Sequence, residues 1–153
     1  MSNAPARQIP GIYHRRVGDI MVTALSDGTL VRTADMLRDI AAGVVERLFA
    51  EAFRPAIVIS VNAFLIRRAE RLALVETGSG NYLGATAGHL LESLAAAGVS
   101  PAEIETILLT HMHPDHSAGL TDLATGRRNF VNAELVVHEN EPRHWNDDAA
   151  MAR

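Results

Sequence analysis

The stretch LLTHMHPDHSAGL, Leu108 to Leu120, sets His111, His113, Asp115 and His116 within six positions, directly after an apolar run. Imidazoles and a carboxylate at that density are metal-ligand chemistry. At a strand end, residues two apart point to the same side, so His111 and His113 can face one cation together. Pro114 keeps His113 extended and then turns the chain. Asp115 and His116 thereby point from a loop at a second position close by. Two histidines on a helix would have to be four apart to share a metal, and this spacing does not supply that. The four residues read as two pairs of ligands, one pair for each of two divalent cations. A surface loop that happens to be rich in histidine is the bland alternative, and four ligand-type residues in six positions weigh against it. The chain has no cysteine, so nitrogen and oxygen must supply every ligand. Zinc is the default cation, with iron and manganese as alternatives.

The elements that must hold this cluster follow from the apolar pattern. Ile104–Thr110 reads as a buried strand that delivers the histidines, and Ala133–Glu139 as another strand after a short helix from about Ser117. Upstream, Gly18–Leu30 is rich in β-formers, with Asp27-Gly28 as a hairpin-type turn. Met36, Leu37, Ile40, Val44, Leu48 and Phe49 mark a helix over 33–53 with Gly43 as its weak point, and Pro55 bars its continuation. Ile57–Arg68 and Arg71–Gly78 are nearly continuous apolar runs joined by a charged turn, hence buried neighbouring strands. Leu83, Ala87, Leu90, Leu91 and Leu94 mark a second helix ending at Gly98, a left-handed cap. Ser100-Pro101-Ala102-Glu103 is a capping box with proline at the first helical position. Strands and helices in this order make an α/β layer arrangement.

Composition excludes several functions. The chain of 153 residues is one modest domain, 48 % hydrophobic and 21 % charged. A net charge of −4 with scattered arginines offers no basic stripe for nucleic acid. No apolar run approaches the roughly 20 residues of a membrane span. The N-terminus MSNAPARQIPG lacks a signal-peptide core, which leaves a cytoplasmic location as the expectation, and residues 1–10 read as disordered or tag-like.

THMHPDHSAGL resembles the HxHxDH signature of the metallo-β-lactamase superfamily. GDIMVTALSDGTL, SVNAFLIRR, LALVETGSG, GVSPAEIETILLTHMHPDHSAGL and AELVVHENE…HW fall in the order of its methyl-parathion-hydrolase-like and lactonase-like branch, over essentially 11–153. The resemblance implies a four-layer αββα sandwich with a dinuclear metal site. His111 and His113 would belong to the first metal and Asp115 and His116 to the second, with Asp115 also catalytic as a proton handler. Two features depart from the family. Glu76 stands where it usually has the Asp of DTG, behind the metal loop. The further histidine, bridging aspartate and last histidine of the family, well downstream, have no counterpart here, so the chain corresponds to the N-terminal half of the fold. His138 and His144 do not match them by position. His138 reads as a packed histidine in a strand.

Weaker features carry less. Gly78 and Gly80 lack the spacing of a dinucleotide loop and read as a tight turn beneath the metal site. His89 reads as a half-exposed helix residue and Trp145 as packing. The 33–53 helix either lines a substrate entrance or simply covers a sheet. Two functions remain. One is a metal-dependent hydrolase that activates water against a small-molecule lactone, ester or phosphotriester; the missing cysteine argues against β-lactamase subclasses with a cysteine ligand. The other is a non-catalytic half-domain that needs a second segment or self-association.

Overall fold

The structure, a computed structural model, describes residues 11–151, so the expectation for residues 1–10 lies outside the described residues. Six strands form one mixed sheet in sequence order: β1 (Ile12–Val17), β2 (Ile20–Arg32), β3 (Ile57–Arg68), β4 (Arg71–Val75), β5 (Thr106–Leu108) and β6 (Glu134–Val136). The first four pair antiparallel, and β4, β5 and β6 run parallel. Helices α1 (Ala42–Glu51), α2 (Leu90–Ala96), α3 (Pro114–Ser117), α4 (Asn140–Trp145) and α5 (Asp148–Met151) flank it. This is the mixed α/β arrangement expected from the element order. No helix among the described residues is long and apolar enough to cross a membrane.

Alternation along the strands splits the sheet into two faces. Leu25, Ala63, Leu65, Leu72, Leu74 and Ile107 point to one side and form a core with Leu90 and Leu94 of α2 and with Ile104. The other side exposes Tyr13, Phe64, Leu108 and Val136 by more than a third each. β3 is therefore half-open rather than buried, although its composition is almost continuously apolar.

Several local expectations change. The hairpin turn is Gly18-Asp19, closed by the Val17–Ile20 pair with Gly18 at φ +61°. Asp27-Gly28 instead interrupts β2 as a bulge, where the register shifts between Ser26 and Gly28. The Asp27 side chain is fully buried and accepts the backbone N–H groups of Ser79, Gly88 and Leu90 at 2.9, 3.0 and 3.0 Å. A carboxylate so engaged serves a distant loop, not its own turn.

That loop also explains why the second helix is short. Residues 83–89 do not wind: the backbone passes Gly84 and Gly88 at positive φ and bridges Gly28 to Ala87, and only 90–96 is helical. His89 precedes the helix and does not lie within it. The exit matches expectation, with Gly98 at φ +72° and Val99 N–H donating to the Leu94 carbonyl at 2.9 Å. The capping box also forms: Ser100 accepts from Ala102 N, and Glu103 reaches back to Ser100 N at 2.8 Å.

The expected 33–53 helix is broken. A 3-10 turn spans Ala34–Met36, Asp39 turns left-handed at φ +60°, and α1 begins only at Ala42. Within α1, Val45 alone is buried, so the apolar stripe has little to bury against and cannot hold the segment as one rod. The helix overhangs a cleft of about 730 Å³ lined by Arg32, Phe49, Arg54 and Ile57 among others.

Candidate metal centre

β5 ends at Leu108, earlier than expected; the chain bends at Thr110 and reaches an extended His113 before α3 winds one turn. Pro114 opens that turn, so Asp115 and His116 sit on a short helix rather than a loop. The fold nevertheless gathers all four residues. The His111 ring lies 4.0 Å from that of His116 and 4.7 Å from that of His113, centroid to centroid. His116 Nε2 stands 3.3 Å from Asp115 Oδ2.

Neighbouring loops press this cluster into place. Thr77 donates both its N–H (2.8 Å) and its hydroxyl (2.9 Å) to the His116 carbonyl. Gly119 N–H donates to Gly78 O at 3.1 Å, and a Cβ on Gly119 would run into the Thr77 carbonyl. Gly78 and Gly80 thus form the tight loop beneath the cluster that the sequence suggested. Ser117 Oγ closes the underside by donating to Met112 O and His113 O. Thr110 Oγ1 meets His111 Nδ1 at 2.9 Å, leaving the far nitrogen of that ring for another partner.

Glu76 stands behind the cluster, 5 % exposed and in the left-handed region at φ +67°. A non-glycine residue held there costs of order 1–3 kcal/mol and persists because its surroundings fix it. Its Oε1 accepts Thr110 N–H at 3.0 Å. Its Oε2 lies 3.2 Å from His116 Nδ1 but is misaligned for a hydrogen bond, and neither buried atom has a hydrogen-bond partner. The extra methylene relative to aspartate is absorbed with the carboxylate still between strand end and histidine.

Electrostatics favour the neutral form of His111. Burial holds His111 below its ordinary value of 6.5; the His116 and His113 rings push it the same way, against Glu76 and Asp115. A neutral ring is the form that binds a cation. Among the described residues no group of three or more His, Asp or Glu side chains meets the geometry of a ready metal site. Pairs fit better. Two ligands of one tetrahedral zinc, with bonds of about 2.0–2.1 Å, stand roughly 3.3 Å apart, which is the His116 Nε2–Asp115 Oδ2 separation. His116 Nδ1 faces the buried Glu76 carboxylate while Nε2 faces Asp115.

The sequence reading missed Glu141. Its Oε2 accepts Met112 N–H at 2.7 Å and Trp145 Nε1–H at 3.3 Å. The Met112 bond holds its carboxyl below the usual glutamate range. Trp145 meets His113 edge-on at 5.5 Å, so it is more than packing. The Glu-x-x-x-Trp spacing was the available signal, one helical turn on a common face. His138 is corrected: it lies past β6, exposed, where its Nδ1 accepts Asn140 N–H.

A mixed sheet thus carries a histidine-rich turn past its fifth strand. A family model of the metallo-beta-lactamase superfamily matches residues 56–152, and the chain belongs to that superfamily. The N-acyl homoserine lactonase AiiB of Agrobacterium fabrum is 31 % identical over 101 residues, covering 54 % of this chain and 34 % of that one. Among solved structures, the hydrolase AbOPH of the beta lactamase superfamily superposes with a TM-score of 0.83 at 34 % identity, over 95 % of this chain and 50 % of that one. AidC, a dizinc quorum-quenching lactonase, gives 0.83 at 28 % identity, over 90 % of this chain and 48 % of its own. The chain spans about a third of the curated lactonase and about half of each solved structure.

Proposed function

We propose that this chain carries the first set of metal ligands of a metal-dependent hydrolase acting on a small lactone, with esters and phosphotriesters as related substrates. The convergence of His111, His113, His116 and Asp115 above a buried Glu76 carries the reading. His111 and His113 hold one divalent cation, and Asp115 and His116 hold a second, zinc in the first instance. Bound there, such cations supply Lewis acidity toward a carbonyl or phosphorus centre and toward water. Glu76 fixes the His116 ring through Nδ1, and Asp115, a third exposed on its side chain, is the group able to hold or move a proton. The lactonase relatives AiiB and AidC support the substrate class.

Two protein groups per cation fall short of the three that a catalytic zinc usually keeps. The reading therefore takes further ligands from another segment or a second copy. The second reading, a non-catalytic half-domain, is favoured by the uncovered sheet face that exposes Phe64, Leu108 and Val136. Turnover of N-acyl homoserine lactones and aryl phosphotriesters, measured with intact mass on one preparation, separates the two. The hydrolase reading expects lactone turnover that Asp115→Asn lowers through kcat far more than through KM. Turnover unchanged by Asp115→Asn removes that residue from the chemistry, and no turnover in the complete assembly leaves the half-domain.

A further inference from the structure

The segment between His111 and His113 is held from outside the metal cluster. Met112, the residue between the two histidines, points its N–H at Glu141 Oε2 at 2.7 Å. The same oxygen takes the indole N–H of Trp145 one turn later in α4. The Trp145 ring stands perpendicular to the His113 imidazole, 5.5 Å away. One carboxylate oxygen thus joins the peptide between the two histidines to the ring that flanks the second. That bond fixes the plane of the His111–Met112 peptide, next to the His111 side chain, while the indole flanks the His113 ring. A short N–H to carboxylate bond is about twice as strong as a neutral one. The edge contact with indole restricts rotation of the His113 ring.

We propose that Glu141 and Trp145 are positioning residues for the His111–His113 ligand pair: α4 reaches over the metal loop and presets both imidazoles before a cation arrives. Neither residue is a ligand. The inference rests on the metal reading of His111 and His113. It adds that cation affinity depends on a hydrogen-bond acceptor supplied 29 positions beyond Met112. Glutamine at 141 retains a carbonyl oxygen for the Met112 N–H, whereas alanine retains nothing. The two substitutions therefore separate acceptor geometry from mere helix packing.

The test is zinc affinity, by competition with a chromophoric chelator, together with the visible spectrum of the cobalt-substituted protein. Glu141→Ala is expected to weaken zinc binding about 10–100-fold, the usual cost of losing an outer partner of a metal ligand, and to shift the cobalt bands. Glu141→Gln is expected to recover most of that loss. Trp145 is the sole tryptophan of this sequence, and its emission, taken as the difference from Trp145→Phe, should change on zinc binding in the parent and much less in Glu141→Ala. If the alanine variant does not fold, Glu141→Asp keeps the charge but withdraws it by one methylene, with at least tenfold weaker zinc expected. Parental zinc affinity in Glu141→Ala or Glu141→Asp, or equal weakening in Ala and Gln, overturns the proposal while leaving the metal reading intact. Zinc stoichiometry and affinity unchanged in His111→Ala/His113→Ala overturn both.

Discussion

Two adjacent rows of the sheet differ by one residue per strand and by everything else. His14, Thr23, Leu65, Leu74 and Ile107 form one row across five strands, and each is at most 9 % exposed. Tyr13, Ala24, Phe64, Val75, Leu108 and Val136 form the next, continuous across all six strands. It faces outward, with Tyr13 60 % exposed and Phe64 41 %. Both rows are built from β-forming side chains, so hydrophobicity alone does not decide which is covered. The covered row lies under α2 and the 77–90 loop. Those are tied down by the buried Asp27 carboxylate and by glycines that let backbones touch. Among the described residues the open row has no such layer, and single exposed apolar residues are ordinary where a row of this length is not.

The largest effect expected from breaking this contrast is at Asp27. Asp27→Ala strips two buried N–H groups and a part-buried one of their acceptor, each costing about 1–3 kcal/mol and not fully additive. A loss of about 3–6 kcal/mol is expected, read as the urea midpoint at unchanged m. A shift below about 1 kcal/mol would mean that the loop is held by something else. Next in size is Leu74→Ala in the covered row, at about 2–5 kcal/mol, against less than half of that for Phe64→Ala in the open row. Equal costs would show that the open row is buried in solution. The smallest effect is pH-dependent and concerns His14, which burial holds below 6.5. Between its folded value and 6.5 the unfolded chain binds more protons, so stability is complete above about 6.5 and falls as pH drops through that window. His14→Asn should flatten that limb of the midpoint-against-pH curve, and an unaltered limb would assign the acid sensitivity elsewhere.

Much of the scaffold was legible because it depends on local pattern. The capping box at Ser100–Glu103, the glycine exit at Gly98, and β3, β4 and β5 follow from spacing and turn residues. The four clustered residues were legible for the same reason, being neighbours in sequence. Periodicity failed where long-range bonds override it. Leu83 and Ala87 have helical spacing, yet their backbone is drawn to β2 by Gly28 and Asp27. Asp27-Gly28 has turn chemistry, yet its carboxylate is spent on residues more than 50 positions away. Helix α1 shows the converse, a helical stripe with too little to pack against. Glu141 escaped because its shorter bond goes to a backbone N–H, which leaves no trace in side-chain type, and only its spacing to Trp145 signalled it.

The central claim is that the cluster after β5 is a metal site, and the metal content of the purified protein tests it most directly. Elemental analysis of the parent and of His111→Ala/His113→Ala, prepared side by side in zinc-supplemented medium, should show zinc in the first and its loss in the second. Equal zinc in the two would contradict the claim.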